Sequence, residues 1–212
     1  MPMLELFRRA RWIVLVLLAV YLASFGAGYA AGKLKIVELG RIRASAVFKL
    51  NRNLDYRVPF LGPGLHRYKT VGRQMLMRNL SRGRAVSTMF NIFLNNWIFA
   101  DGTQIVRAIV IAPLVLYPFG RFVQGLVLAQ SRSGYQAWMI WLTEFGGFFM
   151  TLCGILSLLL WTVFFRRFRF ASRGRAFFSG LKIFAVFYAV SAVFFFIAAY
   201  IEMMSLLGLA WR

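Results

Sequence analysis

Three long apolar runs, Trp12 to Ala31, Tyr135 to Phe165 and Leu181 to Leu209, constrain this chain more than any other feature of it. Each is long enough to cross about 30 Å of hydrocarbon as a helix, which takes ~20 residues. Lipid offers no partner to a bare backbone N–H or C=O, and a helix satisfies both within one segment. With 60% hydrophobic residues and 23 phenylalanines in 212 positions, the chain exceeds what an ordinary soluble core can hide. The expected fold class is all-α, a polytopic helical membrane protein.

A fourth run, Gln104 to Ala129, is interrupted by Arg107, Pro113, Pro118 and Arg121, which predicts a kinked or shielded span. Before it, Met89 to Ala100 is apolar but short, carries Asn91, Asn95 and Asn96, and stops at Asp101-Gly102. At about 12 residues it is expected to be re-entrant or interfacial. The prediction is therefore four full spans plus one short segment, or five spans if that segment crosses. Three regions follow: an N-terminal span over 1–32, a basic amphipathic segment over 33–88, and a transmembrane bundle over 89–212. Arg8, Arg9 and Arg11 ahead of an apolar run and GAGYAAG imitate a signal peptide, and a retained signal anchor is the expectation.

The formal net charge is +20, but the basic residues lie between apolar runs, where headgroups rather than nucleic acid would meet them. Lys33 to Arg84 holds 13 of the 26 Lys and Arg, with a turn-rich centre, VPFLGPGLHRY, between two expected amphipathic helices. Arg166, Arg167, Arg169, Arg173 and Arg175 form the second cluster, expected to contact lipid headgroups or an acidic partner. With four spans both clusters fall on one side, the cytoplasm by the positive-inside rule, and both termini fall outside; if the short segment crosses, the Lys33–Arg84 cluster moves outside and the bias disappears.

Cys153 is the sole cysteine and His66 the sole histidine, so neither an internal disulfide nor a His-based metal site is expected. No phosphate loop and no nucleophile with a matching base can be found. Catalytic residues, metal ligands and cofactors are each expected to be none.

Of six acidic residues, Glu144 and Glu202 fall inside apolar runs. A charge there costs roughly 2.5–3.5 kcal/mol on insertion scales, so it is paired, turned inward or used. Counting from the turn near residue 132, Arg121 and Glu144 sit at one level, each roughly 17 Å along its helix. Glu202 can join them in a buried polar cluster. Three readings stay open: an ion pair fixing the bundle, a binding pocket, or a proton or cation path.

Gly146, Gly147 and Gly154, Gly120 with Gly125, and Gly28 with Gly32 read as places where helix backbones approach closely. The four-residue spacing of Gly28 and Gly32 could also mark a homodimer face. The run VFFFIAAY reads as packing against lipid and helices.

FNIFLNNW (90–97), FGRFVQG (119–125), LTEFGGFFMTLCGILSL (142–158) and IAAYIEMMS (197–205) together resemble the stage II sporulation protein M family over about the last 120 residues. Asn95, Asn96, Gly120, Gly125, Glu144, Gly154 and Glu202 carry the match. Phe119-Gly120 stands where the family commonly has Asn-Gly, and Trp141-Leu142-Thr143 replaces a frequent His-Gly. The resemblance implies a non-enzymatic, multi-span scaffold or assembly subunit that docks to other membrane proteins, with no sporulation role carried over. The expected partners are other integral membrane proteins and anionic lipids, not nucleic acid, in a prokaryotic inner membrane. The alternative is a transporter permease with Glu144 and Glu202 along its path.

Overall fold

The computed structural model describes residues 2–37, 62–101, 112–130 and 135–208. All the regular structure among them is helical. The helices are α1 (Met3–Lys33), α2 (Gly62–Ser81), α3 (Ala85–Leu94), a π-helical segment (Asn95–Asp101), α4 (Ala112–Gln130), α5 (Tyr135–Val163) and α6 (Arg173–Leu206).

Three of these are long and apolar enough to cross a membrane: α1, α5 from Trp138 to Val163, and α6, with mean hydropathies of 2.1, 1.9 and 2.3. They correspond to the three runs read from sequence. The fourth expected span is not among them. Residues 104–111 of it lie outside the described residues, and the remainder is the 19-residue α4 with Pro118 inside it.

Local chemistry explains where the long helices begin and how they tolerate polar side chains. Glu5 lies in the first turn of α1 and Lys33 in its last, each complementing the helix dipole. Ser172 caps α6, its Oγ accepting from the Arg175 N–H at 3.2 Å. Hydroxyls inside the apolar helices are satisfied by their own backbone: Ser157 Oγ donates to the Cys153 carbonyl at 2.7 Å and Thr162 Oγ1 to the Leu158 carbonyl at 2.7 Å. Residues 38–61, with the first of the two expected amphipathic helices, lie outside the described residues, and Gly62-Pro63-Gly64 of the turn-rich centre opens α2, since proline is tolerated in a helix's first turn.

Two helix pairs make the bundle. α5 and α6 run antiparallel over their length, with Phe194 and Phe195 rings seated where side chains at Gly146 and Gly147 would be. Further along the same seam, Gly154 faces the Phe184 backbone and Gly180 the Leu158 backbone. α1 and α4 run parallel: a Cβ at Gly28 would meet the Phe122 carbonyl, and one at Gly125 the Phe25 carbonyl. Gly32 lies against Leu126 and Ala129. The Gly28–Gly32 face is thus occupied by α4 within the chain. Tyr21, Phe149 and Tyr117 join the pairs through ring contacts, and Phe25 stacks on Trp141 at 4.1 Å.

These contacts correct the expected arrangement of ends. Arg9 on α1 donates to the Phe168 carbonyl and, at 3.3 Å, to the Arg169 carbonyl, while its guanidinium lies 4.8 Å from the Phe170 ring centre. The start of α1 is therefore at the same end as the Arg166–Arg175 cluster, not opposite it. Lys33 and Gln130 mark the other end, where Gln130 Nε2 donates to the Val37 carbonyl at 2.9 Å. Ala85 is there too, in the cluster formed by Ile92, Ala199 and Met203. Both ends of the basic segment, Lys33 and Arg84, thus lie opposite Arg166–Arg175.

Candidate functional site

α3 and the π segment run antiparallel to the last half of α6. Ile92 packs on Ala199, Phe93 is edge-on to Phe196 at 5.8 Å, and Trp97 stacks on Tyr188 at 5.2 Å. The segment descends from the Lys33 end to about half the length of α6. α4 starts at a similar depth, since Tyr117 is beside Tyr21 midway along α1, and returns to the same end at Gln130.

The helix widens to π geometry at Asn95, and π turns are rare and concentrate at functional sites. There the Asn pair is drawn into a polar chain. Asn95 Nδ2 donates to Asn96 Oδ1 at 3.2 Å, and Asn96 Nδ2 donates to Glu144 Oε1 at 3.0 Å. One residue on, Trp97 Nε1 donates to the Tyr188 carbonyl and the Tyr188 hydroxyl donates to the Trp97 carbonyl, both at 3.3 Å. These reciprocal bonds fix the π segment to α6 while the Asn96 amide fixes it to α5.

A cavity of about 320 Å³ opens beside this chain, between α2, α3, the π segment and α6. Glu202, Asn91, Asn95 and Asn96 supply polar wall, with Arg73 and Met75 from α2. The Asn91 side-chain nitrogen is buried and makes no hydrogen bond among the described residues. Four residues that carry the sequence resemblance, Asn95, Asn96, Glu144 and Glu202, are thus brought to one place.

Arg121 is placed differently from the sequence expectation. It is buried at 7% exposure, with Nε and Nη1 lacking hydrogen-bond partners among the described residues and its guanidinium 5.5 Å and 6.0 Å from the Phe145 and Phe148 ring centres. It is close enough to Glu144 to feel its charge but forms no ion pair with it. The only ion pair among the described residues is Arg9–Glu5 at 2.6 Å. Gly125 and Gly154 serve helix packing, as their spacing suggested. Arg166, Arg167, Arg169, Arg173 and Arg175 are all exposed at one end of the bundle.

Arg73 and Asn91 are the site residues that sequence reading passed over. Asn91 stands four residues before Asn95, one helical turn away, and that spacing was a usable signal. Nothing local points to Arg73, one of 13 cations in its segment. No family model, curated protein or solved structure matches this chain.

Proposed function

We propose that this chain is a non-enzymatic scaffold or assembly subunit of a larger membrane complex. Its topology is three spans, α1, α5 and α6, with Ala85–Asp101 and α4 forming a re-entrant unit that enters and leaves at the Lys33 end. The observation that carries this reading is the Asn96–Glu144 bond, which spends a costly intramembrane carboxylate on holding helices together. The exposed arginines from Arg166 to Arg175 meet anionic headgroups, and the exposed apolar faces of α1 and α6 meet lipid or partner helices. The membership suggested by sequence, the stage II sporulation protein M family, agrees with such a role, as does a prokaryotic inner membrane location.

The cavity against Glu202 favours one second reading, a permease component whose path includes Glu202 and the asparagine chain to Glu144. Glu144→Gln separates the two. A scaffold loses abundance or complex assembly; a permease assembles normally and loses flux. Normal assembly with unchanged flux would remove support from both.

A further inference from the structure

The cavity walls carry a second message, independent of docking. Glu202 and Arg73 both line the cavity, yet they form no ion pair with each other, and neither has a hydrogen-bond partner among the described residues. Two opposite charges held apart across about 320 Å³ are arranged for a ligand that carries both signs. Asn91, whose buried amide nitrogen has no partner among the described residues, and Asn95 add neutral donors and acceptors to the same wall.

We propose that this cavity binds a zwitterion bearing a primary ammonium and a phosphate, the ammonium at Glu202 and the phosphate at Arg73. An ethanolamine phospholipid headgroup supplies this chemistry within the membrane, and a free phosphoamine supplies it from solution. Glu202 lies four residues before the end of α6, at the Lys33 end of the bundle, where lipid headgroups are met. Val71 and Met75, 44% and 52% exposed on the cavity's α2 wall, offer apolar surface to the acyl chains.

The test uses the full chain in nanodiscs holding an equimolar mixture of ethanolamine and choline phospholipids of identical acyl chains, with retained lipid counted by native mass spectrometry. A primary ammonium donates hydrogen bonds to a carboxylate and a trimethylated one cannot, so wild type retains the ethanolamine lipid about tenfold over the choline lipid. Glu202→Gln abolishes that preference. Arg73→Gln leaves the preference intact and weakens retention of both lipids, because both carry phosphate. Arg73 is exposed, so its substitution leaves the fold unchanged, as elution volume and helicity will verify. Soluble phosphoethanolamine that displaces the lipid, where phosphocholine does not, identifies the free zwitterion as an equal source and upholds the site. Equal retention of the two lipids by wild type, or a preference that survives Glu202→Gln, overturns the proposal. Neither result depends on whether the chain copurifies with a partner.

Discussion

Asn96 and Glu144, 48 residues apart in the chain, are joined by a 3.0 Å hydrogen bond that ties the π-helical segment to α5. The donor sits on the π-helical segment, and the acceptor on a helix long and apolar enough to cross a membrane. Tertiary packing thereby turns an isolated acidic residue into a point of attachment. Trp97 and Tyr188 repeat the attachment on the neighbouring helix.

Asn96→Ala leaves that carboxylate without its partner, and the expected loss is about 1–3 kcal/mol of stability. A double-mutant cycle with Glu144→Gln, read by denaturation in mild detergent, should show coupling of at least about 0.5 kcal/mol. Additive effects would mean that the bond contributes nothing to the fold.

Gly28→Ala and Gly125→Ala each place a methyl group against backbone of the facing helix, and a cost of about 1–3 kcal/mol is expected for each. Gly26 has nothing within 4 Å of its added Cβ, so Gly26→Ala should be neutral or stabilising by up to ~1 kcal/mol. Thermal unfolding of the three variants compares them directly. Equal effects would remove close α1–α4 packing from the account.

Arg121→Met tests the buried cation. Since no ion pair holds it, the substitution should cost no more than about 2 kcal/mol, the worth of a desolvated cation–π contact. Removing one member of a true buried ion pair costs about 3–5 kcal/mol, and a loss of that size would restore the pairing expected from depth counting.

The arrangement of ends gives a labelling prediction. Arg8→Cys and Arg167→Cys each add one exposed thiol, while the native Cys153 is buried and silent. An impermeant maleimide applied to intact cells or inverted vesicles should reach both added cysteines from the same face. Labelling from opposite faces would contradict the Arg9 contact with the loop before α6.

The three long apolar helices were legible in the sequence because roughly 20 apolar residues in a row, enough to cross a bilayer, have few alternatives to a helix. Glycine notches were legible too, since Gly146, Gly147 and Gly154 recur along one helix. Arg9 was not: its partners are backbone carbonyls 159 and 160 residues away, and a carbonyl leaves no mark in a side-chain pattern. Depth counting placed Arg121 and Glu144 at one level, and they are electrostatic neighbours. Level alone does not fix rotation about the helix axis, and rotation gave Glu144 to Asn96 and Arg121 to two phenylalanine rings. The cavity was equally hidden, because its walls come from four segments, one of which, α2, has no strong apolar signature.

The most direct measurement is the composition of the tagged full chain after purification from its own membranes in mild detergent, by quantitative mass spectrometry. A scaffold or assembly subunit is predicted to elute with at least one other integral membrane protein at fixed stoichiometry. Elution alone, or only with copies of itself, from membranes in which it is fully folded would contradict the proposed function.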